Sequence, residues 1–387
     1  MAWTCLACSS GVGGQAVAMM LKRVFVLFVM AGMWAQSSGA GESSFRVFLP
    51  DTKNKQLTTV NATVSSAGIA LELGPALALD FGANEVAAHP DGKHLIVGGS
   101  TQTGAVAATV ELSANGSLRQ TSASPVGEAG GYLSVDRTGR YFLSTHYRSA
   151  LVATHALDEN AVVGAAITST RTPNLEAHCI VTTPDNRFVY VPCVKTNNAI
   201  FQYAFDEKTG ELSALEPFDA KPPAMFGPRH VVYHPSMPLA YFSNEQQLGV
   251  SVYQIAENGQ LSAIQHATTF PRRAPFDREK RALSASSIVL SPNASRLFVA
   301  MRDFTGDDDS VFTFRVEADG RLTLLSRTMV GDVPVRLLMS PSGSHLLISE
   351  TGESRLSAYA VEDDGTLSRS ASINLPGGSR DMVLVAD

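Results

Sequence analysis

The chain is short of charge, of cysteine and of long apolar runs, and each shortage excludes something. Only 17% of its 387 residues are charged while 44% are hydrophobic, a composition that excludes disordered and collagen-like chains. Thirty basic residues against 36 acidic ones give a net charge of -6, which removes any general attraction to nucleic acid or anionic lipid. No apolar run approaches the roughly 20 residues needed to span a bilayer, so a multi-span membrane protein is excluded. Gly-x-Ser-x-Gly elbows, Walker loops and zinc-spaced His/Cys sets are absent, and the mechanisms they serve go with them. Stretches of helical period are few. What the chain has instead is 31 glycines and 19 prolines, a pattern of many short strands separated by turns.

Lys22 and Arg23 precede an apolar run from Val24 to Trp34, and Ser38-Gly39-Ala40 places small residues where a signal peptidase reads. Residues 1–40 are therefore expected to be an N-terminal extension with a secretory signal, residues 41–387 a single domain, and the protein exported to the periplasm with no membrane attachment after cleavage. Residues 1–18, ahead of Met19 and Met20, do not fit the basic start of a signal and point to a start codon read too early. Cys5 and Cys8 leave with this segment, so their C-x-x-C spacing carries no weight. Cys179 and Cys193 remain, flanking an expected hairpin that turns at Pro184-Asp185-Asn186-Arg187. Their positions match the pairing sum set by that turn, which allows a cross-strand disulfide in an oxidising compartment; two buried thiols are the other reading.

One unit recurs along the chain: an apolar strand, a turn of Pro-x-Gly type, a second apolar strand, a polar loop, a third strand and a Gly-x-Leu turn. Good copies are Val86 to Gly92 followed by Leu95-Ile96-Val97, and Leu337 to Gly343 followed by Leu346-Leu347-Ile348. The first turns sit at Pro90, Arg137, Pro184, Pro235, Pro292 and Pro341, and the second at Gly116, Gly210, Gly259, Gly320 and Gly365. A repeat near 50 residues with about four short strands predicts an all-β fold, a β-propeller. Six copies are visible. The leftover pieces, Phe45 to about Leu73 and Asp381 to Val385, predict a seventh blade closed by pairing of the N- and C-terminal strands, which leaves no open sheet edge.

In such a blade the start of the first strand and the end of the second emerge on one face, and that rule sorts the polar residues. His178, Arg229 and His230 stand at starts of first strands; Tyr147, Lys195, Glu245 and Arg302 stand at ends of second strands. A carboxylate and an imidazole exchange protons, and two guanidinium groups hold an anion or a developing oxyanion, chemistry suited to opening or forming a lactone. The loop Asp303 to Asp309 is acidic but lacks the spacing of an EF-hand and is read as solvated. The run from Arg272 to Arg281 reads as an exposed insertion.

These residues resemble a known family. Glu176-Ala177-His178-Cys179 with Pro184-Asp185-Asn186-Arg187, then Gly227-Pro228-Arg229-His230 with His234-Pro235, Asn244-Glu245, and Ser287-Ile288 with Ser291-Pro292 before Arg302, look like the seven-bladed propeller lactonases. That family includes bacterial propeller-type 6-phosphogluconolactonases and fungal carboxy-muconate lactonising enzymes. The resemblance covers essentially the whole chain after the signal. It implies an active constellation of His178, Arg229, Glu245 and Arg302; Tyr147, Lys195 and His230, placed at the same mouth by strand-end position, are expected to bind substrate, and no metal or cofactor is expected. Glu245 or His178 is expected to activate water while Arg229 and Arg302 stabilise the oxyanion. The chain departs from the family at Ala300-Met301 and at Ser286-Ser287, which leaves the substrate open. The function expected is hydrolysis of a sugar-derived lactone; the alternatives are a lactone-forming cycloisomerase and a non-catalytic binding propeller.

Overall fold

The computed structural model describes residues 43–386 apart from 114–115, 129, 270–282 and 307. The expected signal and the basic run from Arg272 to Arg281 lie outside the described residues. Among those described, the strands form seven antiparallel sheets. Six follow one another along the chain, beginning at Gly82, Tyr132, Ala177, Pro228, Leu283 and Pro334, and each runs from the channel outward. The remaining one joins the ends: Val383–Ala386 is innermost, paired with Ser43–Asp51, followed outward by Gln56–Ser65 and Gly68–Leu73. We number this closing sheet blade 1 and the others blades 2 to 7 in chain order.

The core lies between blades. The face of blade 5 bearing Tyr241, Val250 and Val252 packs on Leu297, Val299, Phe312 and Phe314 of blade 6, all fully buried. Hydroxyl groups add directional ties to the Gly-x-Leu turn of the next blade. Tyr190 donates to the Gly259 carbonyl at 2.6 Å, Tyr241 to Gly320 at 3.0 Å, Thr154 to Gly210 at 2.7 Å and Ser326 to Gly365 at 2.6 Å. The turn glycine is required on two counts. Gly320 has φ +79°, a left-handed backbone, and a Cβ there would drive into Leu239 of the preceding blade. The repeated glycine in the sequence is thus an inter-blade contact, not only a turn residue.

Blade 4 departs from the pattern. Its innermost segment makes only isolated bridges, Ala177 to Cys193 and Thr182 to Val189, so the register slips by one between them. The disulfide reading fails here. Cys193 lies opposite Ala177 rather than Cys179, and the slip turns the two side chains to opposite faces of the sheet. Cys193 packs toward blade 3 with Tyr141 and Val152, and Cys179 toward blade 5 with Val231 and Phe242. Both are free, buried thiols, and burial pushes them up to about 11 for Cys179 and about 12 for Cys193, the behaviour of inert core residues.

Candidate active site

At one end of the channel the innermost strands surround a cavity of about 420 Å³. Four inner strands carry a β-bulge near this mouth, between Ala83 and Glu85, Pro228 and Val231, Ala285 and Ile288, and Pro334 and Arg336. A bulge adds an unpaired residue and re-aims a side chain out of the ordinary alternation. That is how Arg229 and His230, neighbours in sequence, both come to line the same cavity.

The cavity gathers His178, Arg229, Glu245 and Arg302 from blades 4, 5 and 6, together with Tyr147 of blade 3 and His230 of blade 5. Glu245, 9% exposed, follows the second strand of blade 5 and is fixed by its backbone, which accepts from Ala285 N and donates to Gly227 O. Its Oε2 lies 2.9 Å from Arg229 Nε and 3.4 Å from Arg302 Nη2, and its Oε1 accepts from Gln246 Nε2 at 3.0 Å. One carboxylate therefore holds two guanidinium groups side by side. Arg302 Nη2 also donates to Ser284 Oγ at 2.7 Å, while its buried Nε has no hydrogen-bond partner.

Beside this clamp runs a line of rings. Tyr147, His178, His230 and Tyr132 follow one another edge to face with centroids 5.7, 5.0 and 5.4 Å apart. Burial, then the Arg229 charge, holds both imidazoles well below their ordinary range, so His178 and His230 are neutral at pH 7. A neutral imidazole accepts a proton from water; an imidazolium cannot.

Lys195 does not join them. It opens a short 3-10 turn, Lys195–Asn197, where a strand end is expected, and its ammonium pairs at 3.3 Å with Glu176 Oε1 and sits 5.3 Å over the Tyr147 ring, outside the cavity lining.

The sequence reading missed Glu85, Tyr132, Arg336 and Asp381, which also line the cavity. Arg336 Nε lies 3.0 Å from Asp381 Oδ1, and its guanidinium sits 5.1 Å over the Tyr132 ring. The signal was present in the repeat: Glu85, Tyr132, His230 and Arg336 all stand five residues before the first turn of their blades. Ser287, at the same position in blade 6, accepts instead from Leu337 N, and Ser286 donates to the Pro334 carbonyl, so the two serines tie blade 6 to blade 7.

Two other polar groups are accounted for structurally. The carboxylate of Asp303 caps its own loop, accepting from Thr305 N and Asp308 N, and Asp309 accepts from Asp303 N and Val333 N. The His89, Asp91 and His94 group lies at the opposite end of blade 2, where Asp91 accepts from Lys93 N, His94 N and the His94 ring. Burial favours protonating Asp91, but these bonds outweigh it and hold it down to about 2.

Comparisons with known proteins agree with this architecture. A family model described as lactonase, 7-bladed beta-propeller, matches residues 82–383. A 6-phosphogluconolactonase of Yersinia pestis is 28% identical over 283 residues, covering 72% of this chain and 80% of its own. Among solved structures, a periplasmic gluconolactonase of Pseudomonas aeruginosa superposes with a TM-score of 0.78 at 21% identity, over 89% of this chain and 99% of its own. A putative 6-phosphogluconolactonase of Bacteroides fragilis gives 0.75 at 18%, over 89% and 98%.

Proposed function

The chain belongs to the seven-bladed β-propeller lactonase family, and from that premise we propose that it hydrolyses a sugar-derived lactone at the mouth of its channel. The observation that carries this reading is the Glu245 bridge, which sets the Arg229 and Arg302 guanidinium groups together against a neutral His178. Attack of water on a lactone carbonyl moves negative charge onto the carbonyl oxygen. Two preorganised guanidinium groups stabilise that charge more than they stabilise the neutral ground state.

Between Glu245 and His178 as the base, the contacts favour His178. Both oxygens of Glu245 are already engaged, one by two cations, whereas the buried His178 Nδ1 has no hydrogen-bond partner among the described residues. Glu245 is then the positioning residue for the arginines. Tyr147 and His230 flank the bound lactone, and Lys195 acts only through Glu176 and Tyr147. The lactone-forming alternative is disfavoured, because the named relatives are lactone hydrolases. Export of the chain, with residues 1–40 removed and residues 41–387 acting as one domain, is part of the same proposal; the periplasmic setting of one structural relative supports it.

The test is a panel of aldonolactones, including glucono-δ-lactone and 6-phosphogluconolactone, and a muconolactone, with the purified mature chain. His178→Gln is expected to lower kcat on the accepted lactone by about 10² to 10⁴. Glu245→Gln is expected to raise KM and lower kcat while leaving the acid limb of the pH profile in place. Disappearance of that limb in Glu245→Gln would make Glu245 the base, and failure to open any lactone would leave the non-catalytic reading standing.

A further inference from the structure

We propose that Glu85 is a further catalytic residue of this cavity, the acid that protonates the departing ring oxygen of the lactone, with Asp381 keeping it loaded; the proposal rests on the hydrolase reading above. Glu85 lies at the bulge in the inner strand of blade 2 and lines the cavity opened by blades 4 to 6. Asp381, which comes from the segment leading into the closing strand, lines the same cavity and accepts from the backbone N of Val86, the residue next to Glu85, so the two carboxyl groups are neighbours there. Two neighbouring carboxyl groups away from water do not both ionise readily, so one of them keeps its proton.

The donors decide which of them holds it. Asp381 Oδ1 lies 3.0 Å from Arg336 Nε and Oδ2 accepts from Val86 N at 2.9 Å, so its negative charge is compensated from both sides. The proton belongs to Glu85. The charged groups acting on it are Asp381, Arg336 on the inner strand of blade 7 and Arg229 on that of blade 5; the same cavity also holds Tyr132, Tyr147, His178, His230, the Glu245–Arg302 pair and Arg380. Burial and the Asp381 charge raise Glu85 well above the ordinary carboxylate range, against the pull of the two arginines.

Hydrolysis needs such a group. Water bonds to the carbonyl carbon while its proton passes to His178. The tetrahedral intermediate then breaks its bond to the ring oxygen, and the electron pair goes to that oxygen, which takes the Glu85 proton. An aliphatic alkoxide leaves poorly without one. Solvent returns the His178 proton to Glu85, and the products are the hydroxy acid and the starting enzyme.

The leaving group separates this role from a structural one. Glu85→Gln keeps the shape and a donor toward Asp381 but has no transferable proton. On an aliphatic aldonolactone its kcat is expected to fall by about 10² to 10⁴. On dihydrocoumarin, whose phenolate departs unaided, it is expected to stay within about threefold. The wild-type aldonolactone profile is expected to fall on its alkaline side as Glu85 ionises, and that limb is absent from the residual activity of Glu85→Gln. Circular dichroism checks folding; should the variant not fold, the wild-type ratio of the two activities against pH decides, and a constant ratio overturns the proposal. Unchanged aldonolactone turnover in Glu85→Gln, or equal losses on both substrates, also overturns it. A wild type that opens no lactone sinks the hydrolase reading instead.

Discussion

At the residue scale the cavity concentrates groups whose protonation differs between folded and unfolded chains, and stability must follow. His178 and His230 are held neutral well below their ordinary value, mainly by burial and then by Arg229. In the unfolded chain both take up protons as pH falls below about 6.5 while the folded chain refuses them. The stability that neutral burial contributes is present above that pH and is lost progressively toward the depressed folded values. Glu85 has the opposite sign: its raised folded value contributes stability at low pH that is lost as pH rises from about 4.3 through the folded value. Two histidines outweigh one glutamate where the windows overlap. The thermal midpoint is therefore expected to drop between pH 7 and pH 5, and a His230→Gln variant to show a shallower drop; calorimetry across that range checks it, and an equal slope would remove His230 from the account.

Elements were legible to different degrees, and the reason is physical. Outer strands and turns repeat because each blade must solve the same packing problem against its neighbour, so period-two apolar strands and a glycine recur at fixed spacing. The inner strands are where the repeat breaks. Reading Val86-Ala87-Ala88 and Leu337-Leu338-Met339 as the first strands starts them four and three residues too late and hides Glu85 and Arg336, because a bulge interrupts the alternation just before those residues. The same irregularity in blade 4 spoiled the pairing sum for Cys179 and Cys193. His178, Arg229, Glu245 and Arg302 were recoverable since strand-end position, not side-chain alternation, sorted them. The Gly-x-Leu turn gives a test at this scale. Gly320→Ala combines a left-handed backbone with an intrusion on Leu239 and is expected to cost about 2 to 4 kcal/mol in urea unfolding. Gly127→Ala, where nothing lies within 4 Å, is expected to change stability by less than about 0.5 kcal/mol.

At the scale of the whole molecule, closure of the ring and assembly of the site are one event. The sequence predicts a terminal strand from Asp381 to Val385; the strand that forms is Val383–Ala386, which frees Ser379, Arg380 and Asp381 to line or support the cavity. Ser379 Oγ donates to the Pro50 carbonyl at 2.7 Å and so ties this segment to the N-terminal strand, while Asp381 holds Arg336 of blade 7 and the backbone of Val86 in blade 2. A single carboxylate thus bridges the two blades on either side of the closure. Deleting residues 381–387 removes the innermost strand of blade 1 and this bridge together, so loss of both fold and turnover is expected and does not tell them apart. Asp381→Asn does. The closing strand stays, and the amide keeps an oxygen for the Val86 N–H, but the anion facing Arg336 and Glu85 is gone. Stability is expected to fall modestly, because the half-buried Arg336 is left without its counter-charge. Glu85, relieved of a neighbouring anion, is expected to ionise at lower pH, so the alkaline fall in aldonolactone turnover shifts downward. A pH profile of the variant superimposable on the wild type, at matched folding by circular dichroism, would confine Asp381 to closing the ring.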